Sequence, residues 1–138
     1  MLKYGANIEA YAPNGWTPIF FAAANAQAQV LALLLDNKPF LAQRDKSGQS
    51  VVTIAAIRNH AIIVQQLLEA GAERDAVDNA GWTPVVAAAN AGSLACVKVL
   101  IQNKCSLVGS IGKFAIMKAK EYGYREIAEV LIKAGACE

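Results

Sequence analysis

The chain has 138 residues, 55 % hydrophobic and 17 % charged, with thirteen basic and eleven acidic side chains and a formal net charge of +2. That composition is too apolar for a disordered segment, and the length suits one compact domain. The basic residues form no concentrated run of the kind that neutralises phosphates, so nucleic acid is not the expected partner, and no apolar stretch reaches the roughly 18 residues of a membrane span.

Residues 1–14 lack the charged start and apolar centre of a signal peptide. The three cysteines, Cys96, Cys105 and Cys137, are odd in number and form no C-x-x-C pair, and His60 is the sole histidine. A zinc site wants a clustered quartet, so no metal and no cofactor is expected. The thiols are read as structural in a reducing compartment, which predicts a cytoplasmic protein with the nucleus left open.

The chain repeats. Gly15-Trp16-Thr17-Pro18 recurs as Gly81-Trp82-Thr83-Pro84, 66 residues on, and Gly48-Gln49-Ser50-Val51 is a degenerate copy halfway between. The period is therefore 33, and a fourth copy begins at Gly112, 31 residues after Gly81, so the third unit is two residues short. Aligned on these glycines, four columns hold apolar residues in every unit. They are Ile19, Val52, Val85 and Ile116; Ala22, Ala55, Ala88 and Ala119; Leu34, Leu67, Leu100 and Leu131; and Leu35, Leu68, Ile101 and Ile132. Within a unit the apolar spacing is helical. The predicted boundaries are a partial unit over 1–14, complete units over 15–47, 48–80 and 81–111, and a C-terminal unit over 112–138.

Each unit reads as two short helices. Thr17, Ser50 and Thr83 are N-cap residues whose hydroxyls are expected to accept free first-turn amides, and Pro18 and Pro84 fit the first helical position. The first helix is expected to stop near Ala26, Asn59, Gly92 and Gly123. Asn and Gly tolerate the left-handed backbone of a tight turn, and Ala26 fits less well. The second helix is expected to end at Gly71 and Gly135 as C-cap glycines, with Asn37 and Asn103 taking the left-handed position in the other units. Between units, residues 12–15, 45–48 and 78–81 have β-turn compositions, and short strands are expected to flank them.

A period of this length, with a β-turn, two helices and a Thr-Pro opening, resembles the ankyrin repeat. The match is carried by Gly-Trp-Thr-Pro at 15–18 and 81–84, by Ala55-Ala56, by Leu-Leu-Glu-Ala-Gly-Ala at 67–72 and by Leu131-Ile132-Lys133-Ala134-Gly135-Ala136, and it covers essentially the whole chain. The resemblance implies an all-α solenoid of helix-turn-helix units linked by short β-hairpin loops. There are departures. Where the family has histidine, this chain has Phe20, Thr53, Val86 and Met117, so the histidine bond to the capping threonine is expected to be missing. Phe114-Ala115 replaces Thr-Pro in the fourth unit, and the shortened loop around residues 106–111 is expected to distort the hairpin before Gly112 and leave that unit the least regular. Residues 1–6 resemble the tail of a second helix, which predicts a piece of a longer array, with Phe20, Phe21 and Leu33 lining its open end.

The resemblance also implies a binding surface made of hairpin tips and first helices. By position, the tip candidates are Pro13, Asn14, Trp16, Lys46, Ser47, Gln49, Asn79, Ala80, Trp82 and Lys113, and the first-helix candidates are Asn25, Arg58, Asn90 and Tyr122. Trp16 and Trp82 read either as aromatic anchors for a partner or as packing against the adjacent tip. Arg58 reads as a partner contact or a solvated charge, and Asn25 and Asn90 as contacts or helix caps. His60 is expected to make structural hydrogen bonds. Nothing in the spacing supplies the nucleophile, acid or orienting group that catalysis needs; Asp75 and Asp78 lie in a loop, and Gly109, Gly112 and Lys113 do not meet the phosphate-loop pattern. The expected function is therefore a non-enzymatic module that binds another protein. The alternatives are a regulatory or targeting domain of a larger enzyme or channel, and end-to-end self-association through uncapped ends.

Overall fold

The computed structural model describes residues 16–36, 44–107 and 109–135, and among these the architecture is eight helices stacked in pairs. The pairs are α1 (Pro18–Ala24) with α2 (Ala28–Asp36), α3 (Val51–Ile57) with α4 (Ala61–Glu69), α5 (Pro84–Ala91) with α6 (Leu94–Gln102), and α7 (Ser110–Glu121) with α8 (Arg125–Lys133). The first helices pack on one another in chain order, as do the second helices, so the chain builds two parallel rows of a solenoid. Each unit cannot enclose a core alone and buries its faces against its neighbours.

The columns explain the stacking. Ala22, Ala55, Ala88 and Ala119 are all buried between first helices, where a single methyl lets backbones approach closely. Leu34, Leu67, Leu100 and Leu131 fill the layer between the two rows. Burying a side chain of that size is worth about 1.5–3 kcal/mol relative to exposure. Phe20 is wholly buried in this core and does not line an open end, whereas Phe21 and Leu33 are exposed.

Every unit reverses direction in the same way. Ala26, Asn59, Gly92 and Gly123 all adopt left-handed backbone, with φ of 56°, 61°, 75° and 76°. The amide that follows each one donates back to the column alanine: Gln27 N to Ala22 O at 3.0 Å, His60 N to Ala55 O at 3.0 Å, Ser93 N to Ala88 O at 2.9 Å and Tyr124 N to Ala119 O at 2.8 Å. This is the Schellman closure of a helix C-terminus. The register of the stack imposes it even on Ala26, despite its Cβ.

Second helices close likewise, with Ala72 N on Leu67 O and Cys105 N on Leu100 O, both at 3.0 Å. Gly71 and Gly135 are left-handed as expected, but in the third unit Lys104 takes that position at φ 62° and Asn103 does not. Asn103 is the C-cap, and its side-chain amide is committed to Val99 O at 2.8 Å and Gln65 Oε1 at 2.9 Å. The left-handed residue therefore falls one place later. Asn37 lies outside the described residues.

Thr17, Ser50 and Thr83 all stand at N-caps in extended backbone, but only Ser50 accepts an amide, that of Thr53 at 3.2 Å. Thr17 Oγ1 and Thr83 Oγ1 are buried and unpartnered. The connections are tight hairpins with little ladder. Among the described residues the pairing reduces to one antiparallel bridge, Arg44 with Ser50, where short strands were expected.

The fourth unit departs as its short loop predicts. Gly109, at φ 63°, is the N-cap of α7, and this helix runs for 12 residues against 7 or 8 for the other first helices. Gly112 is buried inside it. The two missing residues remove the hairpin, and the helix starts where the tip would have been.

Candidate functional site

The hairpin at residues 45–48 is organised by one carboxylate. Asp45 Oδ1 accepts the amides of Ser47 at 2.9 Å and Gln49 at 3.0 Å, and Asp45 Oδ2 accepts the Trp16 indole N–H at 3.0 Å. Asp78 does the same one unit later, accepting Ala80 N at 2.9 Å and Trp82 N at 3.0 Å. An aspartate that bonds amides two and four residues on fixes the turn locally.

The two tips are then joined. Asn79 N donates to Ser47 O and Asn79 Nδ2 to Lys46 O, both at 3.2 Å. Arg44 ties the base of the first hairpin to the second, donating to Gly48 O and to Val77 O, with Glu73 3.9 Å away. Lys46, Ser47, Asn79 and Ala80 remain exposed at the ends of these tips, and Gln49 is half-buried. The structure thus brings Lys46, Ser47 and Asn79 together.

Both tryptophans are half-buried and pack within the solenoid. Trp16 stacks on Phe20 at 6.1 Å between centroids and meets the edge of Phe21 at 5.0 Å. Trp82 meets Phe114 edge-on at 5.8 Å, and the Lys118 ammonium lies 5.4 Å from the Trp82 centroid and 5.5 Å from that of Phe114. Trp16 is therefore held by the neighbouring hairpin through Asp45, and Trp82 by the following first helix.

The first-helix candidates line up at the ends of α1, α3, α5 and α7. Asn25 caps α1, its Nδ2 donating to Phe21 O at 2.9 Å. Arg58 is the exposed C-cap of α3, and Asn90 is half-buried in the last turn of α5. Tyr122 is the exposed C-cap of α7, stacked on Tyr124 at 6.0 Å. Lys113 is exposed on the first turn of α7 and not on a hairpin tip, because that hairpin does not form. Pro13 and Asn14 lie outside the described residues. His60 makes a structural bond, Nε2 to Ala24 O at 3.0 Å across the unit boundary.

One cluster was not anticipated. Ile111, Phe114 and Met117 of α7 face Val86 of α5 across a groove, with Gly81 and Lys113 at its edges. The signal was present in the sequence, in the two-residue deletion before Gly112 and in Phe114 standing where the other units carry a threonine or serine cap nearby. Neither says by itself that a helical turn replaces the tip. Among the described residues no group of three or more His, Cys, Asp or Glu side chains could hold a metal ion, and no helix is long and apolar enough to cross a membrane.

The family described as ankyrin repeats (3 copies) matches residues 1–78 and 53–137. The putative ankyrin repeat protein YahD of Escherichia coli is 30 % identical over 99 % of this chain and 72 % of its own length. The tyrosine-protein kinase HTK16 of Hydra vulgaris is 30 % identical over 73 % of this chain but only 14 % of its own length. The protein phosphatase 1 regulatory subunit 12A of mouse is 33 % identical over 59 % of this chain and 8 % of its own length. The chain therefore spans most of the first relative and a small part of the other two.

Proposed function

The chain belongs to the ankyrin-repeat family, whose repeats generally serve as protein-interaction modules, and from that premise we propose that it binds a partner protein through its hairpin tips and the exposed ends of its first helices. The observation that carries this reading is the coupling of Asn79 to Ser47 and Lys46, which fixes successive tips against each other. A surface rigid before binding loses less conformational freedom on association. Lys46, Ser47, Asn79, Arg58 and Tyr122 are exposed along that surface, a mixture of cation, amide, hydroxyl and aromatic suited to specific contact. The binding is non-catalytic, and the two buried free thiols, Cys96 and Cys105, support a reducing intracellular setting.

The test is partner capture on the immobilised chain, compared with a Lys46→Glu, Arg58→Glu double variant. Both side chains are exposed, so the variant is expected to keep its helical circular dichroism. A protein retained by the native chain and lost by the folded variant supports the tip surface. Equal retention by both overturns it. A second reading, service as a regulatory or targeting segment of a longer protein, is favoured by the small share that the match occupies in the kinase and the phosphatase regulatory subunit.

A further inference from the structure

The row of tips ends in a gap. The tips at residues 45–48 and 78–81 sit one unit apart, but one unit further on the chain is already helical, with Ser110 opening α7. Beside Gly81 this leaves an open groove of about 280 Å³, floored by Val86, Ile111, Phe114 and Met117. That is below the ~300–1,000 Å³ of small-molecule sites and suits one large side chain. Met117 is 49 % exposed although it belongs to a first helix, a row otherwise lined by buried residues.

The charges around the groove have one sign. The helices α1, α3 and α5 carry no ionisable side chain in PIFFAAA, VVTIAAI and PVVAAANA, whereas α7 carries Lys113, Lys118 and Lys120 ahead of a single acid, Glu121. Asp78, the nearest hairpin acid, is committed to Ala80 N and Trp82 N. Glu121 is 3.4 Å from Lys118 at the far end of α7. Lys113 stands exposed at the groove's edge and pairs with no carboxylate among the described residues. Most other described acids lie on second helices or the loops behind them, such as Asp36, Glu69, Asp75 and Glu129.

We propose that this groove docks a short acidic segment of a partner protein, an inference that rests on the protein-binding reading above. An apolar or aromatic side chain of the segment enters between Phe114 and Met117. Carboxylates beside it pair with Lys113 and with Lys118, whose ammonium is already held over the Trp82 and Phe114 rings. Pairing at a partly dry, aromatic-walled site is stronger than at an open surface.

The test uses the full chain on an array of short synthetic peptides, each with a central leucine or phenylalanine flanked by glutamates or by lysines in a Gly/Ser background. Trp82 fluorescence reports occupancy for the peptides retained. Glutamate-flanked peptides are expected to be retained over lysine-flanked ones, less so as salt is raised. Lys113→Glu is expected to weaken them by on the order of tenfold, and Met117→Glu to weaken both kinds, with circular dichroism unchanged in each variant. Absence of a flank preference, or a preference that survives both substitutions, overturns the groove as the docking site. If capture is lost in the Lys46→Glu, Arg58→Glu variant while the array shows no acidic preference, this inference fails and the broader interaction reading stands. If neither experiment responds, both fall.

Discussion

The hydroxyl oxygens of Ser50 and Thr53 lie 3.2 Å apart in the first turn of α3, and the Ser50 oxygen also accepts the Thr53 amide at 3.2 Å. Thr53 thus supplies, in the second unit, the partner that the ankyrin pattern takes from histidine. One unit on, the same columns hold Thr83 and Val86, and Thr83 Oγ1 is buried without a partner. A buried hydroxyl left unpaired costs about 1–3 kcal/mol. Val86 lines the groove beside α7, so a larger side chain has room there. Val86→His is therefore expected to raise stability by about 1 kcal/mol, seen as a higher urea midpoint. Thr53→Val is expected to lower it by a similar amount. A lower midpoint for Val86→His would mean that the unpaired hydroxyl is not what limits this turn.

The two hairpin glycines at residues 48 and 81 separate strain from collision. Both are left-handed, at φ 75° and 83°. A Cβ on Gly48 would lie 2.3 Å from Asn79 Oδ1 and 2.8 Å from Asn79 N, whereas one on Gly81 meets nothing within 4 Å. Gly81→Ala is expected to cost only the left-handed penalty, about 1–2 kcal/mol. Gly48→Ala must also push the tips apart and is expected to cost roughly twice as much. Equal losses in thermal unfolding would show that the tips are free to separate.

Much of this fold was legible because a repeat tests each column four times. Leu34, Leu67, Leu100 and Leu131 share a register that no single helix could establish, and all four are buried. What stayed hidden depends on geometry between units. Phe20 looked available for an open end, yet it is buried beneath Trp16 stacking that no local spacing reveals. Asn103 has the composition of a left-handed cap, but its amide is drawn to Gln65, 38 residues away, so Lys104 takes the turn. Lys113 fell in a tip column by alignment, and a two-residue deletion turned that tip into helix. The candidate surface was legible as a set of columns, while the charge-lined groove required knowing where α7 begins.

Ala26 is the exposed residue at which a general rule should reverse. Glycine ordinarily weakens a helical segment relative to alanine by about 0.5–1 kcal/mol. Ala26, however, sits at φ 56°, in the position that Gly92 and Gly123 fill in later units. Its Cβ costs about 1–2 kcal/mol there, against some 0.4–1 kcal/mol for the extra freedom glycine brings to the unfolded chain. Ala26→Gly is expected to stabilise the protein by roughly 0.5 kcal/mol, while Ala23→Gly, inside α1, lowers stability. Calorimetry on the two variants should give shifts of opposite sign. Two losses would mean that the turn is held by packing regardless of backbone preference.

The buried thiols give a pH dependence whose sign can be worked out. Burial pushes the Cys96 thiol from the ordinary 9.0 up to about 11. Burial, reinforced by the Asp75 carboxylate and opposed by Arg74, pushes Cys105 up to about 12. An acid whose pKa is raised by folding keeps its proton in the native state after the unfolded chain has lost it. The unfolded state then binds fewer protons above pH 9.0, so these two groups cost no stability at neutral pH and remove it as pH climbs from 9.0 toward their native values. The urea midpoint is therefore expected to fall more steeply above pH 9.0 in the native chain than in a Cys96→Ala, Cys105→Ala variant. At neutral pH the same two thiols are expected to resist iodoacetamide until denaturant is added, since the thiolate is the reactive form. Rapid alkylation of peptides containing Cys96 or Cys105 in the folded chain would mean that the second-helix row opens readily, and would remove the basis for both expectations.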